Sequence, residues 1–180
     1  MYGTATPSSD EDFRGFVIPP PEYLLGRRTF EQAESKDPDW VVWSLAKFIK
    51  LLEIGSPNVY ELLFAPKIQY ASHAGLALLG STDLFVAKHA IKPLIGFAES
   101  EWKSVERSRG DTGEFRYKSA GHSIRLLEQG WDLLTKKTMI FPRPNAALLL
   151  QIKQGLVSFE DCKKLYEDAL ANLRKIESVS

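Results

Sequence analysis

The sequence predicts an α+β fold, with mixed strand and helix up to residue 66 and helix almost throughout from 67 to 180. Three observations carry this. Phe13 to Ile18 and Trp40 to Trp43 are short β-branched and aromatic runs, the first stopped by Pro19-Pro20-Pro21, which cannot donate to a ladder. Beyond residue 70, apolar residues recur at helical spacing, as in Leu165, Ala169, Leu173 and Ile176. The breakers Gly55-Ser56-Pro57-Asn58 and Pro66 punctuate the passage between the two regimes.

Met1 to Ser9 is small and polar and reads as loop. Glu22 to Asp37 has no convincing period and reads as irregular, with room for a short hairpin arm. Asp39 opens the second strand, and Ser44 caps a helix through Glu53 with Leu45, Phe48, Ile49 and Leu52 on one stripe. Val59 to Phe64 is a further short helix. After Ala74 to Leu79, the trio Ser81, Thr82 and Asp83 can cap a long helix to about Ser108, which Pro93 kinks or splits. Phe115 to Leu134 and Ala146 to Gln154 are helical, joined by the rigid Phe141-Pro142-Arg143-Pro144 connector. The last helix opens at the capping-box-like Ser158-Phe159-Glu160-Asp161.

One hundred and eighty residues suffice for one domain, or a small domain with a helical appendage. Equal numbers of basic and acidic residues, 23 each, offer no general attraction to nucleic acid or anionic lipid, so a polyanion site has to be local. The single cysteine, Cys162, rules out an intramolecular disulfide and a cysteine zinc site and suits a reducing compartment. No run approaches the roughly 18 apolar residues of a membrane span, and the first residues lack a signal-peptide pattern. The expectation is a soluble cytoplasmic protein that binds no membrane.

The chemistry concentrates in Ser8-Ser9-Asp10-Glu11-Asp12-Phe13-Arg14. On a strand, Asp10, Asp12 and Arg14 share one face. Paired carboxylates suit hard divalent cations, and two such ions about 3.5–4 Å apart can clamp an in-line phosphoryl displacement. Two other features ask for explanation beside them. Asp39 starts the next strand, and Lys118, His122 and Arg125, spaced by four and then three, share a helical face as a candidate anion clamp.

Three blocks together resemble the predicted nucleotidyltransferases of the DNA-polymerase-β superfamily linked to RNA repair, the RlaP-like family. They are Tyr2-Gly3-Thr4-Ala5-Thr6-Pro7-Ser8-Ser9-Asp10-Glu11-Asp12-Phe13-Arg14-Gly15; Ser44-Leu45-x-Lys47-Phe48 with Gly55-Ser56-Pro57-Asn58-Val59-Tyr60-Glu61-Leu62-Leu63-Phe64-Ala65-Pro66; and Tyr117-Lys118-x-x-x-His122-x-x-Arg125-Leu126. The resemblance implies a nucleotidyltransferase-like core over 1–66 and a helical domain over 67–180. It implies Mg²⁺ or Mn²⁺ held by Asp10, Asp12 and a third carboxylate, Asp39 with Asp37 as rival. These three are also the expected catalytic residues, with Lys118, His122 and Arg125 near the nucleotide phosphates.

The implied reaction moves a nucleoside monophosphate from an NTP to a hydroxyl of an RNA end, a protein or a small molecule. In that superfamily a Gly-Ser turn and a first strand precede the aspartates, whereas Met1 stands just after the place of that turn, as expected either of a truncated form or of a chain that does without it. The expectation is therefore weaker phosphate binding and a bare sheet edge that a second copy or a partner chain covers. The alternative is a catalytically impaired nucleotide-binding or protein-interaction module of the kind that regulates phage or mobile elements.

Plainer readings stand beside these. Asp39 can cap a turn, and the Lys118, His122 and Arg125 trio can be a solvated face. Arg14 can pair with a neighbouring aspartate. Lys47 reads as a snorkelling side chain and Glu61 as a helix-start carboxylate, both structural. His73 and His89 have no second ligand at metal spacing, and Trp40 and Trp43 read as packing ahead of base stacking.

Overall fold

A computed structural model describes residues 1–4, 11–26, 28–86 and 90–178. Three strands, β1 (Phe13–Val17), β2 (Gln32–Lys36) and β3 (Asp39–Ser44), form one sheet in the order β1-β3-β2. Strand β1 runs parallel to β3 in the register Phe13↔Trp40 to Val17↔Ser44, and β2 runs antiparallel to β3. Helices α1 (Pro21–Leu24), α2 (Leu45–Glu53), α3 (Pro57–Leu63), α4 (His73–Leu79), α5 (Ile91–Thr112), α6 (Tyr117–Lys136), α7 (Ala146–Lys153) and α8 (Phe159–Ser178) complete the chain. The architecture is α+β, a small mixed sheet followed by helices.

The segment from Glu22 to Asp37 is more regular than its sequence pattern predicts. It holds most of α1 and the whole of β2, which forms a hairpin with β3. Only Ala33 and Ser35 of β2 turn inward, and two small side chains give almost no apolar alternation to read. The long helix expected from about residue 83 also divides differently. Thr82–Leu84 is a separate 3-10 turn and α5 begins at Ile91, so Pro93 falls in the first helical turn, where its missing N–H is needed least.

Elsewhere the local signals act as expected. The Ser44 hydroxyl accepts from the Lys47 N–H at 3.1 Å and starts α2. Ser158 accepts from the Asp161 N–H at 3.1 Å at the start of α8. Period two sends Phe16 of β1 and Trp43 of β3, partners in register, to the face that α2 covers, where Phe16 stacks on the buried Phe48 at 4.5 Å between ring centroids.

Two apolar clusters hold the molecule. One joins Trp43, Phe48, Leu52, Val59, Tyr60 and Leu63 to Ala90, Leu94, Leu133 and Met139, so it spans position 66 and ties the sheet to α5 and α6. The other fills the space among α5, α6, α7 and α8 around Trp102, Ile124, Leu127, Ile152 and Leu173. Trp102 lies flat on Tyr166, with 4.4 Å between centroids and 5° between planes. Among the described residues no helix is long and apolar enough to cross a membrane.

Candidate active site

Asp12 immediately precedes β1, Asp39 opens β3, and the first rung of the parallel ladder is Phe13↔Trp40. The register therefore sets Asp12 and Asp39 side by side at the same end of adjacent strands, which lie about 4.8 Å apart in a sheet. Both are exposed. Period two gives them the face that carries Arg14 and, further along, Phe16. Asp10 lies outside the described residues. Asp37 sits in the β2–β3 turn, where its N–H donates to the Ser35 hydroxyl at 3.4 Å, one step beyond the Lys36↔Asp39 pair.

Behind this edge lies a buried ionic cluster centred on Glu61 of α3, which is 2% exposed. Arg125 of α6 donates through Nη1 to Glu61 Oε1 and, at 2.8 Å, to Gln129 Oε1. The Tyr2 hydroxyl donates to Glu61 Oε2 at 2.6 Å, and its ring lies under the Arg125 guanidinium at 3.8 Å. Arg14 reaches the same carboxylate oxygen at 3.3 Å and Asn58 Oδ1 at 3.0 Å, both through Nη1. Among the described residues Arg14 thus pairs with Glu61 and Asn58, not with an aspartate.

Burial alone would raise the Glu61 pKa. The charge of Arg125, the hydrogen bonds from Tyr2 and Arg125, and the charge of Arg14 outweigh it and hold the carboxyl below its ordinary range. Tyr2 is pushed up, first by burial and also by Glu61. Two guanidiniums face one carboxylate, and that of Arg14 is the more exposed.

The Lys118, His122 and Arg125 trio divides. Lys118 and His122 are exposed, whereas Arg125 is 7% exposed and committed to Glu61. The His122 ring remains close enough to the cluster to feel it. Loss of solvation and the charges of Arg125 and Arg14 hold its pKa below the ordinary value, against Glu101 and Glu61.

A second buried network anchors the other side of Tyr2. Arg143 Nη1 donates to Asp132 at 2.6 Å and its Nη2 to Glu128 at 3.4 Å, while the Arg143 N–H donates to the Tyr2 carbonyl at 3.0 Å. The Tyr2 ring thus packs on Arg125 of α6, while its backbone is held by Arg143, whose side chain is in turn bonded to α6.

Asp12 and Asp39 are hard oxygen donors on neighbouring strand ends, a donor set that fits Mg²⁺ or Mn²⁺. Among the described residues no group of three or more potential ligands gathers. A recess of about 340 Å³ between α5 and α8, beside Trp102 and Tyr166, includes none of these carboxylates.

Compared with family models, residues 1–175 match the RNA repair pathway DNA polymerase beta family, RlaP. The chain belongs to this family. Searches of curated proteins and of solved structures gave no match. Membership in the RlaP family supports a nucleotidyltransferase-like function.

Sequence reasoning missed Tyr2, Asn58 and Gln129 and took Glu61 and Arg125 separately. A signal did exist. Glu61 stands among Val59, Tyr60, Leu62 and Leu63, and Arg125 among Ile124, Leu126 and Leu127, so each charge faces burial and needs a partner.

Proposed function

We propose that this RlaP-family chain is a metal-dependent nucleotidyltransferase that moves a nucleoside monophosphate from an NTP to a hydroxyl acceptor on an RNA end, a protein or a small molecule. The observation that carries the reading is the register that brings Asp12 and Asp39 together at one end of the parallel β1–β3 pair. Asp10 joins them in the proposal as the third carboxylate. Bound there, Mg²⁺ or Mn²⁺ would supply charge neutralisation for the phosphates and activation of the acceptor oxygen.

The chain's own residues have distinct parts in this scheme. Asp39, at the open end of the pair, takes the acceptor proton on its carboxylate. Lys118 and His122, exposed on α6, reach toward the polyphosphate, while Arg125 acts through Glu61 by fixing the wall behind β1. The sheet region up to 66 carries the carboxylates, and the helices from 67 onward cover the nucleotide. The free edge of β1, which pairs only with β3 among the described residues, is the place for a second copy. A cytoplasmic location agrees with the buried free Cys162.

The test follows pyrophosphate release and label transfer from each of the four α-labelled NTPs with Mg²⁺ or Mn²⁺. RNA 3′-hydroxyl ends serve as the first acceptor. Asp12→Asn and Asp39→Asn should each lower the rate by about a hundredfold or more. Transfer that survives in the double variant removes these carboxylates from the reaction. Nucleotide binding by wild type without pyrophosphate release favours the binding module instead.

A further inference from the structure

We propose that Arg14 is a polyphosphate-binding residue, a cationic pole set beside the Asp12 and Asp39 end of the sheet and aimed by Glu61 and Asn58. The inference deepens the nucleotidyltransferase reading and rests on it for the identity of the physiological ligand, a nucleoside triphosphate or its pyrophosphate product.

Position comes first. Arg14 is two residues after Asp12, which immediately precedes β1, so the period-two pattern continued one residue back gives both the same face, and its register partner is Val41, two residues after Asp39. The guanidinium therefore stands one step behind the carboxylate pair.

Orientation comes second. Nη1 is tied to Asn58 Oδ1 at 3.0 Å and to Glu61 Oε2 at 3.3 Å, while the side chain is still 31% exposed. A planar guanidinium held at one corner and open to solvent is prepared for a bidentate contact with phosphate oxygens.

Charge comes third. Glu61 is engaged most closely by the buried Arg125, and the Tyr2 hydroxyl shares the oxygen that Arg14 uses. The single Glu61 carboxylate serves both guanidiniums, and Arg14 is the more exposed of the two. The exposed His122 feels the Arg14 charge as well. Acidic and basic poles thus lie along one strand, the arrangement suited to a polyphosphate that reaches the carboxylates through a cation and the arginine directly.

The probe is inorganic pyrophosphate without metal, in the Asp12→Asn/Asp39→Asn protein, where carboxylate repulsion is gone and transfer is disabled by design. Pyrophosphate should bind this protein more tightly than wild type, and adding Arg14→Gln should weaken binding about tenfold or more. Equal affinity with and without Arg14 overturns the proposal.

Wild-type protein provides a measure that needs no variant to fold. Pyrophosphate should slow phenylglyoxal modification of Arg14, located by peptide mass, and leave the exposed Arg107 unaffected; an unchanged rate at Arg14 also overturns it. Failure of transfer alongside protection of Arg14 removes the enzymatic reading and leaves this site. Intact transfer alongside normal pyrophosphate binding after Arg14→Gln removes only this site.

Discussion

Glu61→Gln isolates the centre of the buried cluster. The amide keeps the size of the side chain and one acceptor oxygen but removes the charge that faces Arg125, whose side chain is 9% exposed, and Arg14. Leaving one partner of a buried ion pair uncompensated costs about 3–5 kcal/mol. Arg125 retains Gln129 Oε1 and the Tyr2 ring, which places the loss near the lower limit, about 3 kcal/mol. For a chain of this length that corresponds to a fall in Tm of roughly 6–12 °C.

Thermal and urea unfolding by circular dichroism measure it. Pairing the variant with Arg125→Met closes a double-mutant cycle, in which the double variant should lose clearly less than the sum of the two singles. A Tm within about 2 °C of wild type, or strictly additive losses, refutes the view that Glu61 and Arg125 form one coupled unit.

Two further outcomes can be read from stability alone. The folded-state pKa of Glu61 is lowered, so its stabilisation is complete above the ordinary carboxylate range and lost as pH falls through the folded value. That of Glu128 is raised, by burial ahead of its Arg143 and Asn145 contacts, so its ionised form costs stability, a penalty that is relieved as pH falls through the raised value. In melts from about pH 7 down to pH 3, Glu61→Gln should therefore converge on wild type in acid, while Glu128→Gln should lack wild type's relative gain on acidification; the reverse assignment contradicts the charge balance described. Gly55, at φ +73°, leaves so little room that a Cβ there would stand 2.9 Å from the Ala90 Cα, and it should lose about 2–4 kcal/mol as Ala. Gly26, at φ +76° with nothing within 4 Å of the same position, should lose only about 1 kcal/mol; equal losses by urea unfolding contradict the close approach at Gly55.

The parts of this molecule that sequence makes visible are those fixed by neighbours along the chain. Ser44 capping α2, the Trp40 to Trp43 run and the stripe of α8 depend on residues within a turn or two, and they read correctly. Strand β2 does not, because its place comes from the β3 ladder and not from its own side chains. Asp39 was legible as a strand opener, but its pairing with the end of β1 needs the parallel register, which spans a helix and a hairpin that no local pattern fixes.

The Glu61 cluster was harder still, since Arg125 lies 64 positions away and Tyr2 59. Its energetic logic also differs from that of the core. Apolar residues of similar volume often hold a fold as well as a buried ion pair does, because the desolvation of the charges offsets much of their attraction. What Leu or Met at these positions could not do is fix a direction. Glu61 accepts from three side chains on three parts of the chain, the N-terminal loop, β1 and α6, and so ties the orientation of Arg14 to the position of α6. A displacement of α6 would therefore reach Arg14, and through it the strand that follows Asp12, by way of one carboxylate.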